Sequence, residues 1–403
     1  MRAKIREFAQ VVNGSTPSTN RADYYDGNII WFTPKDLSDQ NSKYIYYSER
    51  CITQVGYDSC STQMIPAGNL LMSSRAPIGL LAINKRECCT NQGFKSFIVD
   101  ETKCLVEYLY YYLKYHIKEV EALGSGTTFK EVSKNSIENY DIELPSLVIQ
   151  NNIVSILKNI DAKIANNNAI NAELEAMAKT IYDYWFLQFE FPDENGKPYK
   201  SSGGKMVWNE ELKREIPAGW TVNTMEEMLI KNTMPFDYQS SKPTIDLSVM
   251  PSNSMTLGKL NTSDAFSTNL FVMKQGDILF GSIRPYLHKA GFAPCDGAVA
   301  GTVHSYINKK DIDYNFILCT LCSESFFDYA QNVAVGTKMP VVSSDSILAY
   351  KVAYCADIVS RFNMIKFTSI MAHNIQENQE LASLRDFLLP LLMNGQVGFK
   401  EEI

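Results

Sequence analysis

The chain has 403 residues, a length that predicts two to four domains, because a single core rarely grows past about 250–300 residues. Apolar residues make up 45% and charged residues 21%, values ordinary for a soluble globular protein, and no apolar run approaches the ~20 residues of a membrane span. The net charge of −7 counts against a free-standing DNA-binding protein, which usually carries a basic surface; it leaves room for local basic patches, with partners needed for tight binding.

The opening residues, Met1 to Phe8, lack the apolar core of a signal peptide, so a cytoplasmic location is expected. Nine cysteines at irregular spacings suggest no disulfide framework. The one CxxC, Cys319 to Cys322, sits in an apolar stretch and reads as buried thiols rather than half of a metal site.

Along the chain, the strongest signal is an internal repeat. Gly68-Asn-Leu-Leu-Met-Ser73-Ser74-Arg75 recurs as Gly276-Asp-Ile-Leu-Phe-Gly-Ser282-Ile-Arg284, in both cases a turn glycine, an apolar strand and then serine and arginine. Gly126-Thr127 followed by Val132-Ser133 recurs as Gly336-Thr337 followed by Val342-Ser343. A period this long is no solenoid unit; it predicts two similar globular domains, each followed by a helix.

The first helix is expected after Pro145-Ser146, with Ser146 as N-cap. Its seam is Ile153, Leu157, Ile160, Ile164, Asn167, Asn171, Leu174, Ala178, Ile181 and Trp185, with spacings alternating four and three. That heptad pattern predicts one partner helix along its length. A connector rich in Gly, Ser, Lys and Pro follows, from Phe189 to Lys205, and Ile216-Pro-Ala-Gly-Trp220 opens the second domain.

The second helix is expected from about Asp357, with seam residues Met364, Phe367, Met371, Asn374, Asn378, Leu381, Arg385, Leu388 and Leu392; Leu384 is a candidate to replace Arg385 in the seam. Asn167 and Asn374 are 374 − 167 = 207 residues apart, as are Asn171 and Asn378. Asparagine in a seam costs stability and sets register, so these four are read as register residues. Each helix of about 40 residues would span ~60 Å. The resulting divisions are 1–146, 147–186, 187–356 and 357–403.

Motifs for chemistry are missing. There is no phosphate loop, no G-x-G-x-x-G after a strand, no Asn-Pro-Pro-aromatic segment and no His/Cys cluster. Pro192-Asp-Glu194 in the connector is a chance likeness to a nuclease motif. Two copies of one architecture without an active site suggest a reader or scaffold.

Several segments carry a likeness to a known family. They are Gly14-Ser-Thr-Pro-Ser18 with Ile30-Trp-Phe-Thr-Pro-Lys35-Asp-Leu37; Ser73-Ser-Arg-Ala-Pro-Ile-Gly79 with Thr90-Asn-Gln-Gly-Phe-Lys95; Gly126-Thr-Thr-Phe-Lys130 closing with Ile142-Glu-Leu-Pro145; and the helix tail Ile181 to Phe186 with Gly196 to Trp208. In this order, and duplicated, they resemble the specificity subunits of type I restriction-modification enzymes. The second domain departs from the pattern, with Lys242-Pro-Thr-Ile-Asp-Leu247 and Val299-Ala-Gly-Thr302 in place of the first domain's segments.

The resemblance implies an α+β fold of two target recognition domains separated by two long antiparallel helices in a coiled coil, with pseudo-two-fold symmetry. It implies a subunit without catalysis of its own, each domain reading half of a bipartite double-stranded DNA target. The helices would dock two methyltransferase subunits, and motor-nuclease subunits would complete the enzyme. S-adenosylmethionine, ATP and magnesium would belong to those partners. The alternatives are the specificity subunit of a methylation-only or other restriction system and a coiled-coil adaptor unrelated to DNA.

Arginine suits a guanine edge, asparagine and glutamine suit adenine, and lysine and threonine suit phosphates. On that chemistry the candidate DNA contacts are Lys35, Arg75, Asn91, Gln92, Lys95, Thr128 and Lys130 in the first domain, and Arg284, His288, His304 and Lys338 in the second.

Overall fold

The computed structural model describes residues 2–38, 42–126, 130–238, 240–267 and 269–397. The chain divides into two compact units, 1–162 with 382–403, and 163–381. Each contains mixed sheets and a stretch of both long helices.

The first unit is organised on a five-stranded sheet of β1 (Ala9–Asn13), β2 (Tyr44–Ile45), β3 (Leu70–Ser74), β4 (Ile78–Asn84) and β5 (Lys95–Val99), in the order β1-β5-β3-β4-β2. Strand β3 is buried along its whole length, as expected of a central strand. The second unit has a four-stranded sheet of β6 (Leu229–Asn232), β7 (Ile278–Gly281), β8 (Ala290–Phe292) and β9 (Val303–Asn308), in the order β6-β9-β7-β8. The order β1-β5-β3-β4 is thus repeated. The duplication read from two short motifs extends to the topology of the sheet.

Each unit closes in the same way. Arg2–Lys4 pairs antiparallel with Asp141–Glu143, and Thr221–Thr224 pairs antiparallel with Lys351–Tyr354. The strand entering each domain therefore lies beside the strand leaving it for the helix.

The first long helix, α1, runs Leu147–Tyr182 and ends in a wider π-turn, Asp183–Leu187. Ser146 caps it: its hydroxyl accepts from the Ile149 amide at 3.5 Å. Proline at 145 and serine at 146 leave the chain little alternative start. The second helical segment is not continuous. It comprises α2 (Ala356–Asn363) and α3 (Phe367–Met393), and Met364, assigned to the seam from the sequence, lies in the break and is 70% exposed. The break has a partner: buried Asn315 donates through Nδ2 to the carbonyl of Ile365 at 2.8 Å, a long-range bond that periodicity cannot foresee.

In the first unit, Ile153, Val154 and Leu157 of α1 and Leu389, Leu392 and Met393 of α3 enter the same core as β3 and the tyrosine-rich helix Val106–Tyr115. In the second, Ala178 and Tyr182 of α1 and Phe367, Met371 and Ile375 of α3 join Phe280, Phe316 and Phe326. In each unit the domain and its stretch of helix are therefore one hydrophobic body.

Candidate nucleic-acid interface

In the first domain the motifs singled out from the sequence converge on one knot of backbone. The amide of Ser15 donates to Thr90 O at 2.9 Å, Asn91 N to Phe32 O at 3.0 Å, and Ser74 N to Gly93 O at 2.7 Å. Val132 N then donates to Ser74 O at 3.0 Å. Gly14 is required here, because a Cβ would collide with the carbonyl oxygens of Thr90 and Asn91. Asp36 accepts from the amide and hydroxyl of Thr33 at 2.7 and 2.8 Å, which folds the Thr-Pro-Lys-Asp turn and points Lys35 outward.

The second domain builds the corresponding edge. Ser282 N donates to Thr302 O at 3.0 Å, and Val342 N to Ser282 O at 2.8 Å. The repeated glycines, Gly126 and Gly336, both take positive φ, +122° and +113°, at the head of a loop closed by a backbone bridge, Ser125 with Glu131 and Val335 with Val341. The repeated serines are caps: Ser133 and Ser343 each accept from the amide three residues on, at 3.0 Å. Each edge thus joins the end of a central strand, the start of its neighbour and a capped loop.

Residues 1–176 match the family described as the type I restriction modification DNA specificity domain. The chain is 37% identical over 228 residues to the type I restriction enzyme MjaIX specificity subunit of Methanocaldococcus jannaschii, covering 56% of this chain and 50% of that protein. It is 25% identical over 291 residues to the EcoDI specificity subunit of Escherichia coli, covering 67% of this chain and 63% of that one. The chain thus spans about half to two-thirds of the length of these curated relatives. A crystal structure of the type I restriction-modification S subunit from M. genitalium shares the fold across 97% of this chain and 95% of that one, at a TM-score of 0.57 and 14% identity. Over these spans the chain is similar to the type I restriction-modification specificity subunits.

The candidate residues separate by environment. Arg75, Lys95 and Lys130 gather around Glu131. Arg75 Nη1 lies 3.6 Å and Lys95 Nζ 3.0 Å from its carboxylate, and Lys130 is the exposed neighbour. Lys95 is itself 7% exposed and also donates to Ser74 Oγ at 3.4 Å. That corrects its assignment as a DNA contact: it is a buried cation answered by Glu131, and it ties the loop to the strand. Asn91 also serves the fold, its Oδ1 accepting from Gly93 N at 2.9 Å. Gln92 is exposed and meets Thr16. Lys35 is exposed and pairs with Glu49 at 2.7 Å. Thr128 lies outside the described residues.

In the second domain Arg284, His304 and Lys338 come to one edge. Arg284 N donates to Pro340 O at 2.8 Å, which places the arginine beside the loop carrying Lys338; both side chains are exposed. His304 occupies the place of Lys95, two residues after the carbonyl that receives the strand serine. It is half-buried, its Nε2 lies 3.0 Å from Val342 O, and burial pulls its pKa below the usual histidine value. This histidine fastens the loop rather than facing outward. His288 is stacked on Phe327, with centroids 4.4 Å apart, and sits 3.4 Å from Glu324.

The two arginines differ by one place. Arg75 directly follows Ser74, whereas the position after Ser282 is Ile283, which bridges to Val341. Arg284 comes one residue later with φ +54°, and His288 has φ +49°. Left-handed non-glycine residues cost of order 1–3 kcal/mol and concentrate where function requires them.

The seam asparagines are buried and bonded to one another. Asn167 Nδ2 donates to Asn378 Oδ1 at 3.0 Å, and Asn374 Nδ2 to Asn171 Oδ1 at 2.8 Å. These pairs run in opposite directions along the two helices, so the helices are antiparallel in the second unit. Asn168, which the heptad reading left outside the seam, accepts from Asn378 Nδ2 at 2.8 Å. Two carboxylates were also missed. Asp161 accepts from Tyr111 Oη at 2.5 Å and Arg385 Nη1 at 3.1 Å, and lies 3.5 Å from Lys43, whose ammonium burial pulls below the usual lysine range. Arg385 thus holds its seam place by pairing, and Leu384 is 46% exposed. Glu175 accepts from Met255 N at 3.1 Å and Ser254 Oγ at 2.7 Å and pairs with Lys179 at 2.7 Å. Each carboxylate links the helix to the domain of its own unit. A lone acid bordering an apolar seam was the available signal.

Among the described residues no helix is long and apolar enough to cross a membrane, and no group of His, Cys, Asp or Glu could hold a metal ion.

Proposed function

We propose that this specificity subunit reads a bipartite double-stranded DNA target, with residues 1–146 addressing one half-site and the recognition domain in 187–356 the other. The observation that carries the reading is the edge built twice: a central strand ending in serine, a glycine-headed loop with a serine cap, and exposed cations on both. Exposed arginines and lysines beside rigid loops suit guanine edges and phosphates. Arg75, Gln92 and Lys130 are the first domain's contacts, with Lys35 on the flank, and Arg284 and Lys338 are the second's. His288 packs against the helix Glu324–Val333.

On this reading the helices carry two methyltransferase subunits, and motor-nuclease subunits complete the assembly. S-adenosylmethionine, ATP and magnesium are bound by those partners. Asn167, Asn171, Asn374 and Asn378 hold the helices in register, because the Asn167–Asn378 and Asn374–Asn171 bonds would be lost in a shifted alignment. The chain works in the cytoplasm, where its DNA lies.

The deciding experiment is the methylated motif of the source genome with and without this chain. Loss of one bipartite motif on deletion is expected; an unchanged methylation pattern would refute the reading.

A further inference from the structure

The loop of the second domain is apolar where folding does not ask for it. Val335 is 79% exposed and Met339 52%, and every residue from Val335 to Met339 is exposed. The loop is closed by reciprocal backbone bonds between Val335 and Val341 at 3.0 and 2.9 Å. The first domain closes the corresponding loop with the same pair of bonds, at 3.1 and 3.0 Å, using Ser125 and Glu131. A serine and a glutamate therefore suffice for this geometry, and the valines are not a requirement of the scaffold. Exposed apolar side chains grouped on a rigid loop mark a surface that awaits a partner.

The surroundings identify its chemistry. Arg284 is tied to this loop through Pro340 O. Neither Arg284 nor Lys338 forms an ion pair among the described residues, so the apolar pair is flanked by two free cations rather than by carboxylates. That combination complements DNA. In the major groove the one apolar group a natural base edge offers is the C5-methyl of thymine. A base-step wedge is the other apolar use; a wedge does not depend on the thymine methyl, so uracil substitution separates the two.

Resting on the reading of this chain as a DNA-specificity subunit, we propose that Val335 and Met339 read a 5-methyl pyrimidine in the second half-site, with Arg284 and Lys338 engaging the adjoining guanine or phosphate. In the first domain the bridge carries Ser125 and Glu131 in place of the two valines.

The test uses the chain assembled with its methyltransferase partner and duplexes in which each thymine of the target is replaced singly by uracil, which removes only the methyl group. One uracil in the second half-site should weaken binding about fourfold, the factor that corresponds to losing one buried methyl. Val335→Ser with Met339→Gln should bind thymine and uracil duplexes equally while keeping its preference at first-half positions. Equal binding of all uracil duplexes by the parent chain, or a second half-site with no thymine, would overturn the methyl contact and leave the bipartite reading standing. Variants that keep the thymine preference would also overturn it. Binding that ignores sequence altogether would remove the bipartite reading as well.

Discussion

Arg75 and Lys95 approach the same carboxylate from opposite circumstances, one half-exposed and one buried. Their replacement should therefore have different consequences. Arg75→Ala and Arg284→Ala should each reduce discrimination at their own half-site by about 1–3 kcal/mol, the range for a bidentate base contact, with the fold intact. Binding of the assembled complex to target and scrambled duplexes measures this. Glu131→Gln leaves Lys95 buried without its counter-charge. It should destabilise the first domain by about 1–2 kcal/mol, less than for a fully buried pair because Glu131 is partly exposed, read as the unfolding midpoint in urea. The repeat pointed to Arg75 and Arg284 but could not distinguish a base reader from a strut like Lys95, since both are cations beside the same motif; only burial separates them. His304 adds a pH effect. Its folded pKa is lowered by burial, so its contribution to stability is full above the ordinary value of about 6.5 and is lost as the pH falls below it. The parent chain should lose more thermal stability between pH 7.5 and 5.5 than His304→Asn, and equal losses would dismiss the effect.

At the scale of elements, the helix pair follows from its heptads, and so do the polar residues that interrupt them. The seam of α1 was legible because apolar side chains recur every three or four residues, and the asparagines were legible because they recur 207 residues apart. The break between α2 and α3 was not, since what holds it is Asn315, far away in sequence. Asp161 and Glu175 escaped for a similar reason: their partners, Lys43 with Tyr111 and Ser254 with Met255, are distant in the chain. Replacing Asn167, Asn171, Asn374 and Asn378 together by leucine should raise the melting temperature while removing the penalty for a heptad slip, about 10 Å along the axis. Methylation of a library with varied spacing between half-sites reads the outcome, and an unchanged spacing preference would show that the amides do not set register. Glu175→Gln weakens the bond to Lys179 and the Ser254 loop. It should speed hydrogen exchange at the Met255 amide severalfold, with little change in the first unit.

For the molecule as a whole, the duplication was visible in two short motifs, and the shared strand order β1-β5-β3-β4 and β6-β9-β7-β8 carries it further than the sequence could. The second domain's sequence differs in its loops, so its motifs were hard to align even though four strands of its sheet keep the same order. Since the first strand of residues 1–146 pairs with the last, replacing them by the first domain of another specificity subunit should alter one half of the methylated motif only. A change in both halves would contradict modular reading.

The cysteines have a use that their burial creates. Cys88, Cys89 and Cys104 in the first unit and Cys319 in the second are buried. The first three have thiols pushed up to about 12 by desolvation, and burial likewise raises that of Cys319 well above the usual thiol value. Because the thiolate is the reactive form, these sulfurs are silent toward alkylating reagents while their unit stays folded and become reactive when it opens. A brief pulse of iodoacetamide followed by peptide mass spectrometry would therefore time the opening of each unit separately in one sample of the unmodified chain. The thiols are native clocks, one set for each half of the repeat.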